Sequence, residues 1–282
     1  GGGSDIAGNS SAYFLIYSFA LPFLLLYFMS SAMLKSSGNM KIPSILSVVM
    51  CLLDVVFNYI FIYILKLGVA GAALGTLMAY VVTVLPMVLQ ATCKSKILAL
   101  HLDKVKFYWN WGYVRNAAKI SGPIALQAML MSGAQVISTM IVAPLGNIAI
   151  AANSFAITVE SLCYMPGYGI GDAASTLVGQ TFGAGRKDLC KSFAHMTVGL
   201  GMTVMAFMGI IMYIFAPEMM SILSSVSSIQ NLGVQCLRIE AFAEPFFAAS
   251  IVTYSVCVGA GDTIKPVLIN LCTMWCIRLT MA

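Results

Sequence analysis

The sequence predicts an all-α polytopic membrane protein. Of its 282 residues, 60% are hydrophobic and 9% are charged, and the mean hydropathy is +0.93. A soluble domain carries about 25% charged residues and cannot hide this much apolar surface in one water-facing globule. Three blocks, 6–34, 67–93 and 120–159, contain no Asp, Glu, Lys or Arg, and each is long enough for one or two membrane helices. A soluble bundle of core helices is therefore disfavoured.

The apolar runs predict eight membrane spans. In chain order they are 12–34, 42–64, 69–92, 121–144, 149–178, 192–216, 231–258 and 266 to the end. Several contain Gly or Pro, which membrane helices tolerate when neighbours satisfy the backbone. The first residues, GGGSDIAGNS, are expected to form a polar loop, and they lack the basic and apolar segments of a signal peptide. We expect the chain to begin and end inside something larger.

The basic residues orient these spans. All fifteen Lys and Arg residues except Lys66, Arg238 and Arg278 fall in loops on one side, which the positive-inside rule makes cytoplasmic. The net charge of +5 therefore follows from the topology, and no nucleic-acid partner is expected.

An internal repeat relates the two ends of the chain. Residues 19–43, FALPFLLLYFMSSAMLKSSGNMKIP, align without a gap with residues 242–266, FAEPFFAASIVTYSVCVGAGDTIKP, at an offset of 223. Both copies carry a pair of prolines 21 residues apart. Six spans lie between the two cytoplasmic loops of the copies, 35–41 and 259–265, so the copies have the same orientation, as in transporters built from two parallel halves. The repeat predicts a parent of roughly 450 residues and twelve spans, of which this chain holds spans four to eleven.

The repeat also predicts three parts of the chain. Residues 1–92 are the second half of an N-terminal lobe with three membrane helices. Residues 93–120 are a cytoplasmic linker between lobes, with an interfacial amphipathic helix. Residues 121–282 are a C-terminal lobe of five membrane helices, the last of them cut short.

Cysteine and glycine patterns predict no catalytic or structural metal site. Five of the eight cysteines fall inside spans, where a free thiol acts as a small hydrophobe. Cys272 and Cys276 are one helical turn apart, but no His accompanies them. The stretch VGQTFGAGRKD lacks the Gly-Lys-Ser/Thr ending of a phosphate-binding loop, and its glycines are typical of a close-packed helix end.

Polar residues at membrane depth are the candidate functional residues, because an ionisable group there is costly. They are Asp54, with Asn58 one turn later on the same helix face, Glu160, Asp172, and the pair Glu240 and Glu244. Each carboxylate can bind a cation or take up a proton. The structural alternative is a polar contact that only stabilises the helix bundle, such as Glu240 paired with Arg238 or Arg278.

The repeat favours function for these residues. At the offset of 223, Asp54 and Asn58 map to Ile277 and Met281, and Glu240 and Glu244 map to Tyr17 and Leu21. A requirement of the scaffold should appear in both halves, whereas a binding site can belong to one.

Four stretches resemble one known family, in order and in spacing. They are GNMKIP with LLDVVFNYIFIY and GVAGAALGT, then SGPIAL, then MPGYGIGDAASTLVGQTFGAGRKD, then RIEAFAEPF with GAGDTIKP. They resemble the fifth and sixth spans, the start of the seventh, the eighth span with its exit loop, and the tenth span with its exit loop of multidrug and toxic compound extrusion (MATE) transporters. The resemblance covers essentially the whole chain and implies a two-lobed helix bundle, truncated here at both ends.

The resemblance implies a cation site in the first lobe. In similar proteins it uses an acidic residue of the first span, an Asn and an Asp one turn apart on the fifth, and a Thr on the sixth. Thr76 matches that Thr, and Asp54 and Asn58 match the fifth-span positions with the residue types exchanged. These three residues are the candidate ligands of a sodium ion, and the first-span acid lies outside the chain. Some relatives carry an acid in the seventh span, where this chain has Gln127 and Gln135.

The resemblance implies a secondary active antiporter of the bacterial inner (plasma) membrane, and not an enzyme. It would export amphipathic, often cationic, organic compounds by alternating access, as a monomer in the lipid bilayer. Sodium or protons would be the coupling ion, and no cofactor is expected. A lipid-linked oligosaccharide flippase, the alternative, would need more basic residues at membrane depth than Arg238 and Arg278. A membrane-embedded enzyme would need clustered His or Asp at one depth.

Overall fold

The computed structural model describes residues 2–94, 109–142, 144 and 146–278. In this part of the chain the α-helices are α1 (Gly2–Ser36), α2 (Lys41–Tyr59), α3 (Gly68–Leu89), α4 (Trp111–Val142), α5 (Asn147–Gly183), α6 (Lys187–Leu223), α7 (Ser227–Gly259) and α8 (Ile264–Cys272). Three of them continue directly into a π-helical segment: α2 into Ile60–Ile64, α3 into Gln90–Lys94 and α8 into Thr273–Arg278.

Seven of the predicted spans are confirmed as helices that are long and apolar enough to cross a membrane. They are α1 to α7, with α1 counted from Tyr13 and α2 and α3 counted with their π-helical ends. The eighth predicted span is a shorter apolar helix, Ile264–Cys276, in the described part of the chain. The last residues of that predicted span, 279–282, lie outside the described residues.

Two helices begin earlier than the sequence pattern predicts. Helix α1 begins at Gly2, so the prediction of a polar loop at the N-terminus is wrong. No proline precedes Pro22, and extending a helix adds one hydrogen bond per residue fixed. Helix α4 begins at Trp111 because Asn110 caps it: the Asn110 Oδ1 accepts a hydrogen bond of 2.8 Å from the Gly112 N–H. The predicted boundary at residue 120 therefore lies inside a helix, and linker residues 95–108 lie outside the described residues.

The chain divides into two compact units, Gly1–Tyr108 and Trp109–Ala282. In the first, α1 and α3 run in the same direction and α2 runs against them. Tyr27 of α1 joins all three helices. Its ring centroid is 5.8 Å from that of Tyr80 on α3, and its hydroxyl is 2.9 Å from the Ser47 Oγ on α2. The buried core that includes this contact consists of Tyr27, Leu34, Val84, Met87 and Ala91.

The second unit is built on α5, α6 and α7, which share one buried core. Glycines allow these helices to approach closely. A Cβ at Gly179 would lie 3.2 Å from the Gly259 carbonyl oxygen, so α5 and α7 nearly touch at their C-terminal ends. Three methionines of α6 are fully buried in this unit, which makes them packing residues: Met205, Met212 and Met220.

The repeat predicted from the sequence has the same backbone geometry in both copies. Gly38 follows α1 with a φ of 85°, and Gly261 follows α7 with a φ of 84°. Each glycine N–H donates to the carbonyl three residues earlier, and the next N–H donates to the carbonyl five residues earlier, with all four bonds 2.9–3.0 Å long. This is the Schellman cap, in which the left-handed position favours glycine. Pro43 and Pro266 then occupy the first turn of the following helix, where a missing N–H costs nothing.

Candidate functional site

In the first unit, Asp54 and Asn58 lie one turn apart on α2, and both are half-buried. The Oδ1 atom of each is buried, and neither has a hydrogen-bond partner among the described residues. A buried acceptor without a donor costs about 1–3 kcal/mol. Two such oxygens on one helix face fit a hard cation, since carboxylate and amide oxygens are the ligands that such ions prefer.

Gly75 of α3 makes room for Asn58. A Cβ at position 75 would lie 3.0 Å from both the Cγ and the backbone N of Asn58, and closer still to its Oδ1. Thr76 follows directly and is half-buried, so it lies at the same depth as Asn58. Because α2 and α3 meet at this glycine, the structure brings the three predicted first-unit residues to one level of the bundle.

A tyrosine of α3 interacts with the Asp54 carboxylate of α2. Tyr80 of α3 is within electrostatic range of Asp54 and of Tyr17 and Tyr27 on α1. Tyr17 is the position that corresponds to Glu240 in the repeat. The repeat position that holds a carboxylate, Glu240, in one half therefore holds a hydroxyl, Tyr17, in the other.

In the second unit, Glu244 is the most deeply buried carboxylate of the described residues. Its side chain is 2% exposed, and its Oε2 atom is buried without a hydrogen-bond partner in the described part of the chain. The Coulomb field of Glu244 reaches Glu160 on α5 and Glu240 on its own helix. Ionised carboxyl groups that interact in a low-dielectric interior repel one another. The cluster therefore favours the uptake of a proton or a cation.

Two further side chains of α5 border this acidic cluster, which we define as Glu160, Glu240 and Glu244. Cys163 is buried within electrostatic range of Glu160 and Glu244, and Tyr164 interacts with the same two carboxylates. The Tyr164 ring centroid is 6.0 Å from that of Phe247 on α7. An aromatic wall therefore lies on one side of the carboxylates.

A proline adds a backbone oxygen next to Glu244. Pro245 lies inside α7 and has no N–H, so the Ala241 carbonyl lacks its usual helical donor. That carbonyl faces Gly209 of α6: a Cβ at position 209 would lie 2.7 Å from the Ala241 oxygen and 3.3 Å from the Glu244 Cβ. A carboxylate and a carbonyl oxygen on adjacent turns can both contact one bound cation.

The basic residue nearest to the cluster in sequence has a different role. The Arg238 guanidinium carbon lies 5.3 Å from the Tyr213 ring centroid on α6, a cation–π contact. The Tyr213 ring in turn contacts Phe242, with centroids 5.7 Å apart. The other basic residue considered as a partner of Glu240, Arg278, has its side chain outside the described part of the chain.

The structure does not bring Asp172 into the acidic cluster. It lies on α5 twelve residues beyond Glu160, which is about 18 Å along a helix. Its side chain is exposed and lines a cavity with residues of α4, α7 and α8. The predicted site residues of the second unit therefore lie at two different depths along the helices, with Asp172 at one depth and the acidic cluster at the other.

Sequence reasoning missed the glycines and the backbone oxygen of these sites. The close approach of Gly75 and Gly209 depends on which helices are neighbours, and single-helix periodicity does not contain that information. The Ala241 carbonyl had a signal in the sequence, since every proline inside a helix frees the carbonyl four residues before it. The sequence also contained a signal for Cys163 and Tyr164, because they lie three and four residues after Glu160 on the same helix face.

A family model and the most similar curated proteins point to the same family. The family model MatE matches residues 1–60 and 123–282. The probable multidrug resistance protein NorM of Thermotoga maritima is 26% identical over 258 residues, 89% of this chain and 54% of its own length. A protein of the same name from Streptococcus pneumoniae is 26% identical over 283 aligned positions, 98% of this chain and 62% of its own length. The chain thus spans 54–62% of the length of these two relatives.

Solved structures show the same fold. The crystal structure of the Vibrio cholerae MATE transporter VcmN in the bent form aligns with a TM-score of 0.76, at 16% identity over 97% of this chain and 68% of that one. An outward-facing multidrug resistance MATE family transporter aligns with a TM-score of 0.86, at 19% identity over 94% and 60%. With seven apolar helices among the described residues and bacterial relatives, the protein is a multi-pass inner-membrane protein. The chain belongs to the MatE family.

Proposed function

We propose that the protein is a cation-coupled antiporter that exports amphipathic organic cations by alternating access. The observation that carries this proposal is Glu244, a carboxylate 2% exposed in a membrane-spanning helix, with a buried oxygen that has no partner among the described residues. An ionisable group at this depth is retained at a cost, and function is the usual reason. The names of the relatives, which refer to multidrug resistance, point in the same direction.

Exchange follows from competition for the acidic cluster. A cationic substrate and a coupling ion both lower the repulsion among Glu160, Glu240 and Glu244, so each disfavours binding of the other. Glu244 and the Ala241 carbonyl contact the cation, while Tyr164 and Phe247 offer ring faces to an apolar body. Binding of one cation from one side and its release to the other would then drive the exchange.

The first-unit site is proposed to bind the coupling ion as well, in addition to the acidic cluster. Asp54 and Asn58 supply two buried oxygens without described partners, and Thr76 supplies a hydroxyl at the same depth. Either a sodium ion or a proton neutralises the charge of the Asp54 carboxylate. A sodium ion additionally binds the Asn58 side-chain oxygen, which a proton on Asp54 does not need. Replacing Asn58 by Leu should therefore weaken coupling to sodium and leave coupling to protons in place.

A lipid-linked oligosaccharide flippase is not favoured by this chemistry. Such a substrate carries a pyrophosphate, which the acidic cluster would repel. Arg238, a basic residue near the cluster in sequence, is engaged with Tyr213.

Transport in proteoliposomes tests the proposal. The full-length protein should accumulate ethidium when a sodium or a proton gradient is imposed, and Glu244→Gln should abolish the accumulation. Glu218→Gln is the matched control, because Glu218 is an exposed carboxylate on α6. Absence of ethidium movement under both gradients, with the protein correctly folded, would reject antiport of organic cations.

A further inference from the structure

A cavity of about 560 Å³ lies in the second unit, between the first turns of α4 and the turn that joins α7 to α8. Its lining consists of Asn116, Lys119, Ile120 and residues 260–264. Among the described residues, this lining includes none of the candidate cation-binding residues. The cavity is therefore separate from the sites that the proposed transport cycle uses.

The cavity lies at the membrane surface on the side of the basic loops. Lys119 lies two residues before the apolar span predicted at 121–144, and residues 260–264 end two residues before the span predicted from residue 266. Trp111 is exposed about two helical turns before Lys119, and amphipathic rings favour the headgroup region of a bilayer. The cavity is therefore at the level of the lipid headgroups, in the leaflet that the positive-inside rule makes cytoplasmic.

The N-terminal end of α8 forms one wall of the cavity. Thr263 is the N-cap residue of this helix and Ile264 is its first residue, and both line the cavity. The first N–H groups of a helix have no acceptor within it, and the helix dipole adds a partial positive charge at this end. Such a helix end attracts a phosphate group.

The Thr263 hydroxyl is a second donor at this wall. Thr263 is 3% exposed, and its side chain makes no capping hydrogen bond and has no other hydrogen-bond partner among the described residues. A buried hydroxyl without a partner carries an energetic cost, which a phosphate oxygen would remove by accepting its hydrogen. The buried hydroxyl and the helix end therefore favour the same kind of ligand.

The other copy of the internal repeat closes the same helix end with its own side chain. Asn39 corresponds to Asp262 at the offset of 223, and the Asn39 Oδ1 accepts a hydrogen bond of 3.4 Å from the Ile42 N–H at the start of α2. Among the described residues Asp262 makes no such bond, and its carboxylate lies 3.5 Å from the Lys265 ammonium instead. The turn before α8 is therefore open to a ligand, whereas the turn before α2 is not.

Two side chains of opposite charge line the cavity. Lys119 is exposed and has no ion pair among the described residues. Asp262 shares the Lys265 ammonium, but the two side chains are 46% and 83% exposed, and a surface pair of this kind is weak. The cavity thus offers one positive and one negative contact. A headgroup with a phosphate alone would use Lys119 and be repelled by Asp262, whereas a zwitterionic headgroup would use both.

We propose that this cavity binds the zwitterionic headgroup of an aminophospholipid, such as phosphatidylethanolamine, from the cytoplasmic leaflet. Lys119, the Thr263 hydroxyl and the N-terminal end of α8 hold the phosphate, and the Asp262 carboxylate accepts a hydrogen bond from the ammonium group. Basic pockets beside membrane helices recognise lipid headgroups by the same chemistry. The bound lipid links the start of α4 to the turn between α7 and α8, and its binding requires no transport.

Native mass spectrometry of the purified full-length protein tests this site, with phosphatidylethanolamine and phosphatidylglycerol titrated separately. The unchanged protein should bind phosphatidylethanolamine more tightly, and equal affinity for the two lipids would overturn the assignment. Lys119→Gln should weaken both lipids about threefold to fivefold, the value expected for an exposed charged contact. Lys187→Gln is the control, because Lys187 is an exposed residue of α6 outside the cavity. An equal loss in Lys187→Gln would contradict a site at Lys119.

Asp262 and Thr263 test the two halves of the headgroup separately. Asp262→Ala should weaken phosphatidylethanolamine and not phosphatidylglycerol, because only the first carries an ammonium group. Thr263→Val should weaken both lipids, whereas Thr263→Ser keeps the hydroxyl and should bind both as the unchanged protein does. Unchanged affinity for both lipids in Lys119→Gln and Thr263→Val would overturn the proposal, as would an equal loss of both lipids in Asp262→Ala.

Inorganic phosphate distinguishes a lipid site from a site for a soluble anion. Phosphatidylethanolamine should stay bound when inorganic phosphate is added at millimolar concentration, because phosphate alone does not use Asp262. Displacement of the lipid by inorganic phosphate would show that the cavity takes a soluble anion, and it would overturn the lipid assignment.

Discussion

Gly209 on α6 packs directly against Glu244 on α7. A Cβ at position 209 would stand 3.3 Å from the Glu244 Cβ and 3.5 Å from its Cγ. Both residues are buried, so the Glu244 side chain cannot turn toward solvent. The missing side chain of Gly209 is therefore what allows a carboxylate to lie between α6 and α7, and three predictions start from such contacts.

Gly209→Ala should destabilise the protein and impair cation binding at the acidic cluster. The new methyl group would meet the Ala241 carbonyl oxygen at 2.7 Å, so α6 and α7 must separate. Overpacking of this kind typically costs about 1–3 kcal/mol, which a lower thermal unfolding midpoint in detergent would report. Gly199→Ala on the same helix has open space around the methyl group and should be neutral or stabilising. Equal midpoints for both variants would contradict the close approach.

Glu244→Met should stabilise the fold while it abolishes coupled transport. The substitution removes a buried oxygen without a described partner, and the penalty relieved is about 1–3 kcal/mol. The unfolding midpoint should therefore rise, as it does when a functional site carries strain that stability alone would not retain. A midpoint that falls as far as in a core truncation would mean that Glu244 is a satisfied structural residue.

Asn58 and Gly75 should show strong energetic coupling. Gly75→Ala alone should destabilise by about 1–3 kcal/mol, because the methyl group meets the Asn58 side chain. Asn58→Ala removes the obstructing Cγ and Oδ1, so the double variant should recover part of that loss. A double-mutant cycle of unfolding midpoints measures the coupling. Strict additivity would show that the obstacle is the Asn58 backbone N, which also lies 3.0 Å from the added methyl group.

Gly38→Ala and Gly261→Ala should have the same cost in both repeat copies. Each glycine has a φ near +85°, where an L-residue with a Cβ loses about 1 kcal/mol or more. Gly183→Ala, at an ordinary helical position with open space, is the control and should cost nothing. Unequal losses at Gly38 and Gly261, measured as midpoints under identical conditions, would indicate that neighbouring contacts and not the backbone set the cost.

The sequence predicted those features that the backbone of one segment decides. Gly38 and Gly261 could be matched because a left-handed cap needs glycine whatever surrounds it. The start of α4 was missed because residues 93–120 were interpreted as a linker with an interfacial helix, while the Asn110 cap that decides the helix start is a single residue.

The candidate sites were predicted residue by residue but not as groups. Asp54 and Asn58 were paired because one helix turn places them together. That Glu160 meets Glu244 depends on the rotation of α5 against α7, which local pattern does not specify. Asp172 was grouped with the other acids by its depth, and the structure separates it because its level along α5 differs.

Pro245 leaves the Ala241 carbonyl without its helical donor, three residues before the Glu244 carboxyl on the same helix. The Ala241 carbonyl never titrates, whereas a carboxyl group such as that of Glu244 is able to take up a proton. A proton arriving at Glu244 therefore removes one attraction for a cation and leaves the other in place. The site would then lose affinity but keep the carbonyl oxygen that Pro245 frees, and it would be ready for the next ion as soon as the proton departs.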